Sequence, residues 1–403
     1  MSKLTVADLD ASQVRGKRIL LRADFNVPLD ASGRVSDDTR IRSTLPTIRA
    51  LQGMGGRVVL ASHLGRPKGE ADPSLSLAPV ARALESLLET PVAFVPATAG
   101  PDVEAAVAGL QDAGVLLLEN TRFLPGETAN EAGLSEDLAR LADLFVMDAF
   151  GTAHRAHAST EGAARVIRER GGLAVAGLLL ERELRFLGEA LAAPERPFVA
   201  VMGGAKISGK IDVIEALLPR VDLLLIGGAM ANTFFLALGL DTGKSLVEPD
   251  RVEMAAGLLD DAGERILLPV DCVVGDVIGD DARTRVVART EVGADELIGD
   301  IGPETAHLFG EALASARTIL WNGPMGVFES GPYSEGTLAV ARSVALATRD
   351  GAVSVVGGGD SAAAAEAAGV ADSMTHISTG GGASLEFLAG RELPGVAVLS
   401  EGA

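Results

Sequence analysis

The sequence is poor in cysteine, in aromatic residues and in long apolar runs. Cys272 is the one cysteine among 403 residues, which excludes an intramolecular disulfide and a cysteine cluster around a metal. It is best interpreted as a small buried apolar residue. Aromatic residues make up 3% of the chain, so Ala, Val, Leu and Ile must build the cores. Neither a secretory signal nor an apolar run of membrane-spanning length is visible, and we expect a cytoplasmic protein that binds no membrane.

Basic residues are also outnumbered: the chain has 35 basic and 55 acidic residues, which gives a formal net charge of −20. This balance argues against binding to nucleic acid or to an acidic membrane surface. The stretch LFVMDAFGTAHRAHAST (144–160) nevertheless places His154, Arg155 and His157 just past one apolar run. A solvated turn would explain them, and the alternative is an anion site.

Short apolar runs alternate with Ala-, Leu-, Glu- and Arg-rich stretches along the chain. Near-continuous apolar runs are typical of strands buried on both faces, so the fold class predicted is α/β with parallel sheets. Eleven runs are predicted to be strands, namely 18–26, 57–65, 91–97, 115–120, 144–151, 197–204, 222–228, 266–274, 318–324, 352–359 and 374–379. One sheet of that width is unusual, and we predict two doubly wound parallel-sheet domains.

The segment 176–196 lies between the two groups of strands and has the 3.6-residue apolar spacing of a helix. We predict an N-terminal domain over 1–175, an interdomain helix and hinge over 176–196, and a C-terminal domain over 197–390. The ligand cleft is expected between the two domains, because ligands of open α/β sheets bind beyond the carboxyl ends of the strands.

In the first half of the chain, polar and basic side chains follow the predicted strands. If the strands are parallel, these groups converge on one sheet edge, where arginine forks bind phosphate or carboxylate oxygens. They are Asp24, Asn26, His63, Arg66, Arg122, His154, Arg155 and His157, with Arg40 in the segment after the first strand. Zinc ligation by the histidines is disfavoured, because no HxxxH or cysteine pair accompanies them. The pattern predicts a pocket for a small anion.

In the second half, glycine-rich turns follow the strands instead. Glycines permit close backbone approach, and the N-terminus of the next helix offers free N–H groups to a polyphosphate. The turns are GGAKISGK (203–210), GGAMANTF (227–234), NGPMG (322–326) and GGGDSAAAAEAAG (357–369). Lys206 and Lys210 are predicted on one face at the start of a helix, as phosphate contacts. Asp360 fits a helix N-cap, a Mg²⁺ ligand, or both.

Two motifs of other nucleotide-binding classes are incomplete. GAKISGKI (204–211) ends in Ile211 where a P-loop needs Ser or Thr for Mg²⁺, so a P-loop NTPase is disfavoured. GGGDSA (357–362) matches a dinucleotide fingerprint, but a dinucleotide domain needs several more strands and an acidic residue at the next strand end, so NAD binding is the runner-up interpretation. An anion pocket and a polyphosphate site together predict phosphoryl transfer between a nucleotide and a small acidic substrate, in domains that close around both ligands. A non-catalytic metabolite-binding protein is the remaining alternative.

The motifs RADFNVP, DDTRI, SHLGRP, LENTRF, MDAFGTAHRAHAS, GGAKISGK, WNGPMGVFE and GGGDS occur in that order along the chain. In content, order and spacing the sequence resembles the phosphoglycerate kinase family over nearly its whole length. The resemblance implies reversible phosphoryl transfer from 1,3-bisphosphoglycerate to ADP, giving 3-phosphoglycerate and ATP, with Mg²⁺. It also implies a monomer whose C-terminal tail, 391–403, packs back on the first domain.

The resemblance further implies roles for individual residues. The phosphoglycerate is expected to contact Asp24, Phe25, Asn26, Arg40, His63, Leu64, Gly65, Arg66, Arg122, His154 and Arg155. The nucleotide is expected to contact Gly203, Gly204, Lys206, Lys210, Gly227, Asn322, Pro324, Glu329, Gly358, Gly359, Asp360 and Ser361, with Glu329 on the ribose and Asp360 on Mg²⁺. The catalytic residues expected are Arg40, Lys206, Gly358 and Gly359.

The sequence departs from the family pattern at two positions. Gly299 stands directly before Asp300, where we expect a larger residue in the adenine cleft. Ser361 stands where threonine is common, and it keeps the hydroxyl group.

Overall fold

The computed structural model describes residues 3–402, without the side chains of residues 189–191. The chain divides into two compact units. Unit 1 consists of the residues up to Arg185 together with those from Glu392 onward, and unit 2 consists of Phe186–Arg391. Each unit is built on a six-stranded parallel sheet with flanking helices, so the predicted α/β class with two parallel sheets is confirmed. In the described part of the chain, no helix is both long and apolar enough to cross a membrane.

The sheet of unit 1 has the strand order β3-β4-β2-β1-β5-β6. Its strands are β1 Arg18–Arg22, β2 Arg57–Ala61, β3 Val92–Val95, β4 Val115–Leu118, β5 Leu144–Met147 and β6 Leu173–Ala176. The central strand β1 aligns Leu20 with Val59 on β2 and with Phe145 on β5. All three residues are fully buried, as strands covered on both faces require. The carboxyl ends of β1, β2, β4 and β5 therefore meet at one edge.

The α-helices of unit 1 cover both faces of its sheet. They are Ala11–Val14, Thr39–Gly53, Ala78–Leu88, Pro101–Gly109, Pro125–Thr128, Ala132–Arg140, Ala163–Glu169, the first part of Leu178–Ala192, and Pro394–Ala397, with a π-helix at Ala158–Gly162. Helix Ala78–Leu88 shows the common pattern, because Val80, Leu84 and Leu88 are buried at helical spacing. The helix predicted over 176–196 is observed as Leu178–Ala192 and ends before Pro194.

The C-terminal segment from Glu392 onward packs within unit 1. Gly395 N donates to Ala153 O over 2.8 Å, and Ser400 N donates to Ala174 O in β6 over 2.7 Å. Leu4 N then donates to Ser400 O over 2.9 Å. The two ends of the described chain are thus joined by backbone hydrogen bonds, which complete unit 1.

The parallel sheet of unit 2 has the strand order β15-β14-β13-β7-β8-β9, and a second sheet has the antiparallel order β11-β10-β12. The strands are β7 Phe198–Met202, β8 Leu223–Ile226, β9 Ile266–Leu267, β10 Asp271–Gly275, β11 Thr284–Ala288, β12 Leu297–Ile301, β13 Thr318–Asn322, β14 Val353–Gly357 and β15 His376–Ile377. The helices are Ile211–Leu217, Met230–Ala237, Val252–Ala262, Pro303–Ala314, Glu335–Arg349, Gly359–Ala367 and Gly381–Leu388.

The strand predicted over 266–274 is two strands in different sheets, so that prediction was wrong in part. Pro269 lies between β9 and β10, and its missing N–H group interrupts a continuous ladder. Strands β6, β11 and β12 were not predicted. Strand β11 is largely exposed and β12 contains Gly299 and Asp300, so neither forms a continuous apolar run.

Candidate anion and nucleotide sites

The end of β1 carries the first polar group of unit 1. Asp24 is buried, and its carboxylate accepts hydrogen bonds from Arg40 Nη1 and, over 3.2 Å, from Asn26 N. Arg40 comes from the second residue of helix Thr39–Gly53 and stays partly exposed. Phe25 is buried, and its N–H group donates to Ser62 Oγ over 2.8 Å. The helix therefore holds a guanidinium group against the sheet edge through a buried carboxylate.

The turn after β2 is fixed by hydrogen bonds to its backbone. Gly65 N donates to Asn26 Oδ1 over 2.8 Å, and Asn120 Nδ2 donates to Leu64 O over 2.8 Å. His63 in this turn is buried, and burial holds its pKa well below the ordinary value. Its ring is therefore neutral near pH 7, although Nδ1 lies 3.9 Å from Asp24 Oδ1. Arg66 follows as an exposed residue.

Arg22 is a member of this site that the sequence analysis missed. It is the last residue of β1 and is fully buried. Its Nε donates to Ser159 Oγ over 2.8 Å, and Nη2 lies 3.3 Å from His63 Nδ1. Burial lowers the pKa of Arg22, and the charge of Glu127 opposes that effect. A charged residue closing the apolar run RILLR was the signal that could have identified it.

Arg122 follows β4 and is buried over most of its side chain. Its Nη1 donates to Gly65 O over 2.8 Å. Its Nε is buried and has no hydrogen-bond partner among residues 3–402. Burial, together with the charges of Arg22 and Arg155, lowers the pKa of Arg122 to about 10. A buried guanidinium group with an unused donor is costly, and an anion would relieve that cost.

The segment after β5 supplies the remaining basic groups. Arg155 is exposed, and its Nε donates to His154 Nε2 over 3.1 Å. His157 is buried 3.8 Å from the Glu127 carboxylate, and burial lowers its pKa to about 4. It is therefore neutral near pH 7 and contributes no charge. The structure thus brings Asp24, Arg40, His63, Arg122 and the 154–157 segment to the carboxyl edge of one sheet.

In unit 2, glycines allow the loops after β7, β8 and β13 to touch. A Cβ atom on Gly203 would lie 2.1 Å from Pro324 O, and one on Gly227 would lie 2.4 Å from Met325 Sδ. Gly203 N donates to Asn322 O over 3.0 Å, which ties the loops together. These glycines are required by loop contact, so their backbone can form a thin wall beside a ligand.

Lys210 lies under these loops. Its Nζ donates to Asn322 O over 2.8 Å and also to Asn322 Oδ1. Burial lowers the pKa of Lys210 to about 8, and the charge of Asp360 opposes that effect. The prediction that Lys206 and Lys210 share the start of a helix was wrong, because helix Ile211–Leu217 begins after Lys210 and a turn precedes it. Lys206 is exposed.

The loop after β14 leads into helix Gly359–Ala367. Its N-cap is Gly358, with φ of 91°, so the N-cap interpretation of Asp360 was wrong and Asp360 is the second helical residue. The fully buried Ser361 accepts a hydrogen bond at Oγ from Gly323 N over 2.6 Å. This bond gives the Ser361 hydroxyl a structural role.

A second helix N-terminus, which the sequence analysis missed, lies beside the first. Helix Gly381–Leu388 follows β15, and a Cβ atom on Gly381 would lie 3.6 Å from Gly358 Cα. The run TGGG (379–382) was the available signal. Two helix N-termini are therefore adjacent, and each can offer free N–H groups and a positive dipole end to a polyphosphate.

A cavity of about 510 Å³ adjoins these loops within unit 2. Its walls are mostly apolar or backbone, and Glu329 and Asp360 supply the carboxylates at its margin together with the buried Asp300. The lining includes Gly204, Gly228, Phe235, Leu246, Ile298, Gly299, Pro324, Met325 and Val327. An apolar slot with few polar groups, next to an anion site, fits a nucleoside joined to phosphates.

Comparison with known proteins agrees with this geometry. The family model described as phosphoglycerate kinase matches residues 8–391. The chain belongs to the phosphoglycerate kinase family. It is 53% identical to the phosphoglycerate kinase of Chlorobium luteolum, over 99% of this chain and 100% of that protein. It is 54% identical to that of Chloroflexus aggregans, over the full length of both.

The phosphoglycerate kinase fold is also found in solved structures. The structure of phosphoglycerate kinase from Coxiella burnetii superposes with a TM-score of 0.86 and 41% identity, covering 98% of each chain. The resemblance inferred from the sequence motifs is therefore confirmed, and with it the assignment to a phosphotransferase family.

Proposed function

We propose that unit 1 of this phosphoglycerate kinase holds the phosphoglycerate and that unit 2 holds the nucleotide. The reaction is the reversible transfer of a phosphoryl group from 1,3-bisphosphoglycerate to ADP, which gives 3-phosphoglycerate and ATP. This assignment of one ligand to each unit is supported by the difference between the two sites. Unit 1 offers the buried Arg122 guanidinium group with an unpaired Nε, and unit 2 offers glycine loops, helix N-termini and a mostly apolar cavity.

In unit 1, the substrate is an anion with a phosphate and a carboxyl group. Arg122 would use its unpaired Nε on a substrate oxygen, with Arg66 and Arg155 completing the cationic wall and His154 beside Arg155. Arg40 has the partial exposure that a group reaching the transferring phosphoryl needs. The Asp24 carboxylate holds Arg40 at the sheet edge and can also accept a substrate hydroxyl. Asn26, Phe25, His63, Leu64 and Gly65 would shape the floor.

In unit 2, the adenosine would lie in the cavity, and its phosphates would meet the two helix N-termini. Glu329 is exposed at the cavity margin, where its carboxylate can accept hydrogen bonds from ribose hydroxyls. The backbone of Gly203, Gly204, Gly227, Asn322 and Pro324 would line the slot. Lys210 would neutralise the phosphates, and the exposed Lys206 would contact the phosphoryl group in transfer, with the N–H groups of Gly358 and Gly359.

Asp360 fits Mg²⁺ that arrives with the nucleotide. It is an exposed carboxylate at the start of a helix, and it lines the cavity beside the phosphate loops. Mg²⁺ bound with nucleotides commonly takes one or two carboxylates and completes its shell with phosphate oxygens and water. When bound, the ion neutralises charge on the phosphate oxygens.

Transfer between two half-sites needs water exclusion and in-line alignment. We therefore propose that the units close around both ligands and that helix Leu178–Ala192 takes part in the hinge. Small-angle scattering should show compaction only when both ligands saturate the protein, and unchanged scattering would contradict closure. We further propose a monomer, which sedimentation velocity tests.

The decisive assay supplies 3-phosphoglycerate, ATP and Mg²⁺ and couples the product to glyceraldehyde-3-phosphate dehydrogenase. We expect NADH oxidation that requires both substrates and Mg²⁺. Arg40→Ala should abolish turnover with the fold retained, whereas Arg42→Ala should not. Arg42 is the matched control, because it lies on the same helix and pairs with Asp38 on the surface. If the wild-type protein binds both ligands without turnover, a metabolite-binding role replaces the proposal.

A further inference from the structure

Tyr333 is the one tyrosine of the chain, and it is fully buried. Its ring occupies the space beside Gly299, since a Cβ atom there would lie 2.1 Å from Tyr333 Cδ1. Its hydroxyl occupies the space beside Gly275, where a Cβ atom would lie 2.1 Å from Oη. The hydroxyl donates to Val277 O over 2.7 Å. Two glycines in neighbouring strands thus make room for one side chain.

This packing explains the unexpected glycine at position 299. In the pairing of β10 with β12, Val273 is opposite Asp300 and Val274 is opposite Ile298, so Gly299 is the extra residue of a β-bulge. Gly299 O accepts a hydrogen bond from Val327 N over 2.9 Å. The missing side chain is replaced by the ring of Tyr333, and the bulge directs a carbonyl oxygen at the segment 326–334.

The segment 326–334 directly precedes helix Glu335–Arg349, and its residues Gly326, Val327 and Glu329 line the cavity. Besides the Val327 bond, Gly331 N donates to Asp280 Oδ1 over 3.1 Å. Glu329 itself is exposed, so its position depends on the residues on either side of it. Tyr333 is a fully buried side chain of this segment, and its hydroxyl donates to the main chain just after β10.

We propose that Tyr333 is a positioning residue for the nucleotide: its ring and hydroxyl hold the segment 326–334 so that Glu329 faces the ribose. This inference rests on the proposed contact between Glu329 and the ribose hydroxyls. The hydroxyl contributes to this positioning because it extends past Gly275 to donate to Val277 O, which a phenylalanine ring at position 333 could not do. The ring matters because it fills the space above the bulge at Gly299, and buried aromatic rings fix the backbone around them.

Tyr333→Phe removes the hydroxyl and keeps the ring. We expect KM for ATP to rise about three- to tenfold, the equivalent of one hydrogen bond. KM for 3-phosphoglycerate and kcat should stay near the wild-type values. KM for 2′,3′-dideoxy-ATP should not change, because that nucleotide lacks the ribose hydroxyls through which Glu329 acts. Equal increases for both nucleotides, or no increase for either, would overturn the positioning role.

Wild-type protein and Glu329→Gln measured with the same two nucleotides separate this inference from the proposed function. If the ratio of the two KM values is near one in the wild type, or is the same in Glu329→Gln as in the wild type, the ribose assignment of Glu329 fails. If that assignment holds and Tyr333→Phe has the same KM ratio as the wild type, only the positioning role fails.

Gly299→Ala provides an independent perturbation, because the added methyl group would displace the ring while the hydroxyl remains. We expect it to lower the discrimination between the two nucleotides as Tyr333→Phe does. Gly257→Ala is the control, since nothing lies within 4 Å of a Cβ atom there. Unchanged discrimination in a folded Gly299→Ala protein would contradict the inference. If Gly299→Ala does not fold, the result for Tyr333→Phe decides.

Discussion

Asp148 follows β5 and is fully buried at the start of helix Leu178–Ala192. Its Oδ1 accepts hydrogen bonds from Leu179 N over 3.0 Å and from Leu180 N over 3.1 Å. Burial raises the pKa of Asp148 to about 7, while these N–H groups and the Thr47 hydroxyl oppose the rise. The carboxyl group is therefore protonated in the folded protein at pH values where it is ionised in the unfolded chain.

The sign of the pH effect follows from this difference. The folded-state pKa of Asp148 lies above the unfolded value of 3.8. The contribution of Asp148 to folding stability is therefore fully present below pH 3.8 and is lost as the pH rises through about 7. One pKa unit corresponds to about 1.4 kcal/mol, so wild-type stability should fall by at most about 3 kcal/mol between pH 5 and pH 8 from this group. Asp148→Asn keeps an oxygen for the two N–H groups and cannot ionise. The free energy of unfolding of Asp148→Asn, minus that of the wild type, should therefore be larger at pH 8 than at pH 5 by about that amount.

The assay is urea unfolding of both proteins at pH 5 and pH 8, followed by far-ultraviolet circular dichroism. Trp321, the one tryptophan, lies in unit 2, so its fluorescence reports the unfolding of unit 2, which should be the same in both proteins at each pH. Burial also raises the pKa of Asp300 in unit 2 to about 7, so the stability of unit 2 should depend on pH equally in both proteins. If the stability difference between wild type and Asp148→Asn is the same at both pH values, Asp148 does not carry a proton in the folded state and the reasoning is refuted.

Two further predictions concern the nucleotide site. Because burial holds the pKa of Lys210 near 8 and a polyphosphate would raise it, ATP binding at pH 9 should take up about one proton, and binding at pH 7 almost none. Calorimetry in two buffers of different ionisation enthalpy measures the uptake, and Lys210→Met should remove it; a pH-independent wild type would contradict the assignment. Asp360→Asn should weaken MgATP binding at least tenfold and leave 3-phosphoglycerate binding unchanged, whereas Glu366→Gln on the same helix should alter neither; equal losses for both ligands would argue against separate sites.

The sequence predicted those parts of the site that depend on parallel topology. Once β1, β2, β4 and β5 are parallel, side chains that follow them in sequence must meet at one edge, and the structure places Asp24, His63 and Arg122 there. Arg22 was missed because strand alternation alone does not tell whether a terminal arginine turns into the protein or out to solvent. That choice depends on Ser159, which comes from a π-helix far along the chain.

The local geometry of unit 2 was less predictable. The spacing of Lys206 and Lys210 suits one helix face, but helix Ile211–Leu217 begins only after them, and Lys210 donates to Asn322, which is 112 residues further along the chain. Gly299 could not be understood from neighbouring residues, because the side chain that fills its space is Tyr333, beyond another strand and a helix. In both cases the local structure includes a contact with a residue distant in sequence, which periodicity alone does not reveal.

The backbone bonds between the C-terminal segment and unit 1 have a consequence during synthesis. Unit 2 is one continuous stretch, Phe186–Arg391, and all of it has been made before the segment that carries Gly395 and Ser400. Domains commonly fold in order from the N-terminus as the chain emerges. Here Ala153 O and Ala174 O in the N-terminal unit lack these partners until residues 395–400 have been made and have emerged. The unit whose synthesis begins first is therefore completed only after the whole of unit 2 has been made.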